Sequence, residues 1–396
     1  MQHDYDLIIV GGGLAGNCLA LALKDAGLSF AIIEASTAEQ LANSPAGDRA
    51  LALAAGTVKQ LEHLNVWQGI QHAATAIKHI HISDKGHFGK TRLSAEKEQV
   101  AALGYVIAAR DLETHAAKRV TETNTVQFCP ARVVGLSSDT DNINVNIQQG
   151  DESLTLTAKL LIGADGGQSS IRQLLNINQQ VTEYGQTALV TTITSTRPHH
   201  NTAFERFTHS GPLALLPIAH NQCSVVWTRT TEDAKALMQV SEADFLAELQ
   251  SCFGYKLGKL SLSAPIRSFP LSLIRAEKMI ASRAVIIGNA VHQLHPVAGQ
   301  GFNLGLRDVI ELARLLTTQH QAAKDVGAAD FLTNYAKARQ KDHDLVIGFT
   351  NNVIRIFSND WLPLAAARNL GLTLLDHIPQ AKSLLSRYAM GLEQTD

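Results

Sequence analysis

The sequence predicts an α/β protein: a dinucleotide-binding domain, a mostly antiparallel β-sheet domain inserted into it, and a helical C-terminus. Three observations carry that expectation. A strand, glycine loop, helix and second strand fill residues 5–34. Between 181 and 274 the apolar pattern changes to short alternating runs. A second glycine-rich stretch, 288–308, then leads into a long amphipathic segment.

The first unit is YDLIIVGGGLAGNCLALALKDAGLSFAIIE. Its opening six residues form an apolar run suited to a buried parallel strand. Gly11, Gly13 and Gly16 follow in G-x-G-x-x-G spacing, and Leu14 and Ala15 open a helix expected over 14–26, with Gly27 as its stop. A strand over 29–33 ends in Glu34. Gly11 permits the tight turn, Gly13 lets backbone approach a pyrophosphate, and Gly16 lets helix and strand pack closely. Unpaired N–H groups and the helix dipole favour the pyrophosphate at the helix start. Glu34 is placed to accept hydrogen bonds from a ribose. The unit by itself suits NAD and FAD equally.

Composition narrows the function class. With 34 Lys and Arg against 36 Asp and Glu, no basic excess exists to drive nucleic-acid binding. At 396 residues and 45% apolar, the chain has material for two or three packed domains. Cys18, Cys129, Cys223 and Cys252 are scattered without C-x-x-C, which fits a reducing compartment and no structural zinc. The apolar start lacks a basic leader, and no run reaches the ~18 residues of a membrane-spanning helix. A cytoplasmic protein is expected.

Along the chain, 35–48 reads as a loop and the second half of 47–67 as a helix with a buried face, with Arg49 just before it. His79 and His81 share one face of a strand, but no acid or thiol follows at ligand spacing, so no metal is expected. An apolar run over 100–109 precedes Arg110 and a helix reaching 120; strands are expected at 126–136, 143–147 and 154–162. Further strands at 188–194, 202–207, 213–218 and 224–229, interrupted by one helix near 242–252, make the inserted sheet. The expected division is 1–76, 101–180 and 276–345 for the nucleotide domain, 77–100 and 181–275 for the sheet domain, and 346–396 for the helical C-terminus.

The second glycine-rich stretch, GNAVHQLHPVAGQGFNLGLRD, decides between NAD and FAD. A flavin must be held at both ends; a simple dehydrogenase needs no such second loop. Gly288 and Asn289 suit the pyrophosphate and ribityl chain. Gly299, Gln300, Gly301, Phe302 and Asn303 lie at a helix start, where backbone N–H groups can stabilise the negative charge of a reduced flavin ring.

With GGGLAG at 11–16, GADGGQSSIR at 163–172 and this third stretch in order, the chain resembles the group A flavoprotein monooxygenases. The resemblance implies a Rossmann-like FAD-binding domain of the para-hydroxybenzoate hydroxylase type. Within that group the chain is most similar to the ubiquinone-biosynthesis hydroxylases, above all those acting on 2-polyprenyl-6-methoxyphenol, on GDRALALAAGT and AFERFTHSGPLALLP as well. One departure is Gly288-Asn289 where the wider family has Gly-Asp; the amide brings no charge, so FAD is expected to bind less tightly.

The resemblance implies that NADPH or NADH visits transiently to reduce FAD, and that O₂ is activated as a flavin C4a-hydroperoxide that hydroxylates the phenol ring. It implies that Glu34 binds the adenosine ribose, that Arg110 lies near ribose or phosphates, that the backbone of Val134 lies near adenine, and that Asp165 links FAD to nicotinamide use. Arg49 is a surface charge or a contact to the cofactor or the substrate channel. His292 and His295 are weak candidates for proton transfer to or from the phenol. Phe204, Phe207, Leu215, Pro217, Trp227 and Pro296 are expected to line a substrate pocket, although core packing explains most of them equally well. The C-terminal residues Phe349, Ile354, Ile356, Phe357, Trp361, Leu362 and Leu364, near Arg355 and Arg368, form a helical cap or a peripheral surface at the inner face of a membrane. The implied partners are a prenylated phenol and other ubiquinone-biosynthesis proteins. Rival readings are a sister ubiquinone-pathway hydroxylase acting at another ring position, another flavoenzyme such as an oxidase or prenyl reductase, an FAD-retaining assembly component, and a plain NAD dehydrogenase.

Overall fold

The computed structural model describes residues 4–357 and, beyond them, 369–371, 376–378, 382–383, 386–387 and 390–391. Trp361, Leu362, Leu364 and Arg368 lie outside the described residues. Among the described residues, three sheets form.

The first sheet carries the nucleotide unit. Tyr5–Val10 pairs in parallel with Phe30–Ile33 on one side and Glu152–Gly163 on the other; Ala284–Ile286 extends the sheet beyond the latter. These strands are apolar on both faces because both are buried, and Leu7, Ile8, Ile9 and Leu161 have no exposed surface. Leu14–Leu23 packs against both Ala109–Thr121 and Gln300–Gln321. Register aligns Val10 with Gly163 and Gly163 with Ile286, so the three fingerprint loops leave the sheet side by side at its carboxyl edge.

The second sheet runs His292–Gln293, Arg267–Ala276, Gln179–Ser195, Gln222–Thr230, Gly211–Pro217, Thr202–Thr208, His79–Asp84 and Lys90–Ser94, with Leu260–Leu262 beside the third of these. It is antiparallel except where Thr202–Thr208 meets His79–Asp84. Glu242–Phe253 covers one face and closes a separate core of Leu189, Leu213, Val225, Phe245 and Leu249.

The third sheet, Ala50–Ala54, Gly104–Ala108 and Thr75–Ile77, is not expected from the sequence. Ala50–Ala54 reads ALALA, a poor intrinsic strand former that its pairing with Gly104–Ala108 holds extended. Short helices not expected from the sequence include Ala38–Ala42 and Thr231–Leu237. Both carry a legible signal: Thr37 accepts from the Gln40 N–H and Thr230 from the Asp233 N–H, caps of the T-x-x-Q and T-x-x-D type. The expected strand over 126–136 is two, Val126–Phe128 and Arg132–Ser138, because Pro130 has no N–H for the ladder. The first helix ends at Leu23, and the chain turns through Gly27 at φ 76°.

At the C-terminal end, Ala329–Phe357 is one 29-residue helix, with Ile354 buried and Ile356 exposed. No helix among the described residues is long and apolar enough to cross a membrane.

Candidate active site

The glycines of the first loop are fixed by what stands against them. Gly11 has φ 109°, and a Cβ there would lie 2.9 Å from the Asp165 Cα. A Cβ on Gly16 would overlap the Gly11 carbonyl oxygen. Gly288, at φ 60°, faces Ala15, 3.4 Å from where its own Cβ would be. Arg172 ties the second fingerprint to the third: its guanidinium donates to the Gly167 and Ala290 carbonyls, each at 3.0 Å. The three loops therefore share one edge and touch one another.

Two helix starts open at that edge, after Gly13 and after Gly299. Neither has a side-chain cap or an acid in its first turn. Space beside Gly13 and Gly301 is open: a Cβ added to either would have no neighbouring atom within 4 Å. Helix starts without a side-chain cap and bare glycine in this arrangement are what a pyrophosphate and a ring edge need. Leu14, Ala15 and Phe302 are partly exposed here, Asn289 is exposed, and Gln300 is buried.

Several expected contacts have partners within the protein. Glu34 accepts from the Gly12 N–H at 2.6 Å and the Ser36 N–H at 2.7 Å, so its carboxylate braces the glycine loop. Asp165 receives the Ser169 and Ser170 hydroxyls and the Ile171 N–H, the turn role its residue type favours. Arg110 binds Asp48 at 2.6 Å and the Ser44 carbonyl; Arg267 also reaches Asp48. Arg49 is exposed, and its carbonyl receives the Ala109 N–H. Val134 is 58% exposed. The Asn303 side chain accepts from Ala54 N–H and the Thr57 hydroxyl and donates to the Ala52 and Gly299 carbonyls, which leaves only its backbone for a ligand.

The two histidines separate. His292 is fully buried, with Nε2 at 3.3 Å from Asp308. Asp308 also takes His343 Nε2 and Arg339 Nε, both at 2.7 Å, and Arg339 continues to Asp342 and Arg307. Burial pushes the Asp308 carboxyl up, but the His292 and His343 hydrogen bonds and the Arg339 charge outweigh it and hold the group well below the carboxylate range. His292, Asp308 and His343 bring ligand-type atoms within 4.8 Å of one another. The Arg339 guanidinium already neutralises that carboxylate, so the cluster reads as an ion-pair knot joining the loop to two helices.

His295 is different. Its Nδ1 accepts the Val297 N–H at 3.1 Å, so the neutral ring carries its proton on Nε2. Nε2 is buried and has no partner. Burial alone pulls its pKa down to about 4, which keeps it a neutral donor.

Of the expected pocket residues on the second sheet, only Phe207 faces the glycine loops; it clusters with Val297, Ile354 and Ile82 and stacks on Phe357 at 3.9 Å between ring centres. Phe204, Leu215 and Trp227 lie on the opposite face, against Phe245, Leu249 and Phe253, and Pro217, two residues after Leu215, shares that face. This corrects the pocket assignment. Both faces of these strands are apolar, so alternation in sequence does not say which face meets the loops. Pro296 is exposed next to Val297.

Residues 4–348 match the FAD binding domain family. Over 392 residues the chain is 34% identical to the ubiquinone hydroxylase UbiL of Rhodospirillum rubrum, covering 98% of this chain and 89% of that protein. The chain belongs to the FAD-dependent ubiquinone hydroxylase family. The 3-demethoxyubiquinol 3-hydroxylase of Escherichia coli is 28% identical over 393 residues, 99% of this chain and all of that one. In structure, p-nitrophenol 4-monooxygenase PnpA of Pseudomonas putida superposes with a TM-score of 0.80 over both full chains; at 16% identity this shows the fold alone. As a ubiquinone hydroxylase the protein is an FAD-dependent monooxygenase, and its two uncapped, glycine-lined helix starts fit that cofactor.

Proposed function

We propose that this ubiquinone hydroxylase converts 2-polyprenyl-6-methoxyphenol to the 1,4-benzoquinol with NADPH or NADH and O₂. The observation that supports a greasy phenol is the apolar face of Ile82 and Phe207 set against Val297 in the third fingerprint loop. Bound FAD supplies the redox chemistry, accepting electrons from the nicotinamide and delivering one oxygen atom of O₂ to the ring. The protein's share is to hold FAD, place the ring and keep water out. In this reading the backbone at Gly11–Gly16 and Gly288–Asn289 holds the pyrophosphate and ribityl chain, Glu34 the ribose, Arg110 and Val134 the adenosine end, and Gly299–Asn303 the ring. Arg49 and Asp165 complete the surround. Other ubiquinone-biosynthesis proteins and a membrane surface at the C-terminal helices are the partners this substrate calls for.

His295 Nε2–H supplies a fixed donor to the phenolic oxygen, worth most when that oxygen carries negative charge. His295→Ala should keep FAD while product per NAD(P)H consumed falls roughly 10- to 100-fold, the value of one hydrogen bond to a charged group. Full coupled turnover by that variant ends the assignment. The function itself is tested by incubating purified protein with NAD(P)H, O₂ and a short-chain 2-prenyl-6-methoxyphenol, followed by mass analysis. A product heavier by one oxygen is expected. Turnover only with a demethoxyquinol would move the ring position, and nicotinamide oxidation without any oxygenated product would overturn the reading.

A further inference from the structure

We propose that Glu205 receives the phenolic hydroxyl of the substrate, accepting its hydrogen bond at Oε1 and taking its proton. The inference deepens the functional reading above and rests on the substrate being a phenol. Glu205 lies in the middle of Thr202–Thr208. Phe204 on that strand faces the outer core with Leu215, so the alternate residues Ala203, Glu205 and Phe207 face the other way. Ala203 packs with Val106 and Ala50 of the three-stranded sheet, and Phe207 packs with Val297 of the glycine-rich loop. Glu205 sits between those two contacts, on the side where the third fingerprint lies. Its register neighbours are Ile82 and Ala214.

The carboxyl has no hydrogen-bond partner at Oε1, and that atom is buried. An unpaired carboxyl among apolar side chains is costly when charged, and a fold has no reason to keep one there for packing. Burial alone pushes it up to about 7. The titratable groups on this side are Asp84 on the neighbouring strand, which receives the Asn369 amide, and Tyr184 and His295 around Phe207. Tyr184 donates to Asn351 at 2.5 Å, and His295 offers only a donor. Within this set, Glu205 Oε1 is the buried carboxylate oxygen that no partner occupies. The proton moves from the phenol oxygen to Glu205 Oε1, and the pair of electrons left on oxygen activates the ring carbon that is attacked. A base with a pKa near the working pH is best suited to that transfer.

The test compares wild type with Glu205→Gln, which keeps size and hydrogen bonding but cannot take a proton. Product per NAD(P)H consumed is followed across the neutral range with the short-chain 2-prenyl-6-methoxyphenol. Wild type should gain coupling as pH rises through about 7. The variant should keep its FAD, lose that limb, and hydroxylate on the order of 100-fold more slowly. In wild type, difference infrared spectra should show a carboxylic acid band that titrates near neutrality and shifts when the phenol binds. An unchanged pH limb and coupling in Glu205→Gln, or no phenol-linked carboxyl band, overturns the proposal. If wild type oxygenates none of the phenols yet the band responds to their binding, the functional reading fails and the Glu205 contact stands.

Discussion

Gly16→Ala should abolish FAD retention. The added methyl would overlap the Gly11 carbonyl oxygen, and that backbone is itself fixed, because Gly11 lies against Ala164 and Asp165 at the end of the next strand. The helix must then back away from the strand, and the N–H groups at its start lose their aim. Overpacking of this kind costs about 1–3 kcal/mol, and about 3 kcal/mol in binding is roughly a 100-fold loss of affinity. Gly13→Ala is the informative control. Nothing lies within 4 Å of its methyl position, so the protein should fold with an unchanged melting temperature. Flavin absorbance lost from Gly13→Ala would therefore report a ligand excluded from that space, whereas Gly16→Ala should lose both flavin and stability. Full flavin content in Gly16→Ala would overturn the account of the first loop.

Asp308→Ala should yield little folded protein. The carboxylate has no exposed surface and joins His292, His343 and Arg339, so its removal leaves the Arg339 charge buried beside an empty space. Breaking a buried pair from one side costs about 3–5 kcal/mol, a large share of a domain's stability. Asp308→Asn keeps the shape but not the charge and should be destabilised in the same direction. Thermal unfolding of both measures this. The pH dependence has a definite sign. The folded-state pKa is lowered, so Asp308 contributes stability above its unfolded value of about 3.9, and the contribution is lost as pH falls below that. The Asp308→Asn variant should lose that part of the acid sensitivity. Wild-type stability in either variant would show that Arg339 does not depend on this carboxylate.

In the sequence Asp308 is visible only as the last residue of a motif; nothing in its spacing announces His343 and Arg339, which come from a helix more than thirty residues away. Arg172 likewise closes the second fingerprint without any sign that it grips the third. Glu205 is hidden inside AFERFTHSGPLALLP, where one acid among apolar residues reads as a solvent-facing strand position. By contrast, the Tyr5–Val10 strand, the glycine positions after it and the Glu242 helix start are legible, because each rests on interactions within a few residues.

The sequence by itself determined the cofactor class and the order of the three loops, since Gly11, Gly16, Gly288 and Gly299 stand where local sterics admit no side chain or where φ is positive. Only the tertiary structure decided which residues of the inserted sheet face the third glycine-rich loop. Thr202–Thr208 is covered on both sides, so Phe204 and Phe207 look alike in the chain, and three residues of separation put them on opposite faces. That choice belongs to the packing of whole sheets, which side-chain alternation follows but does not dictate.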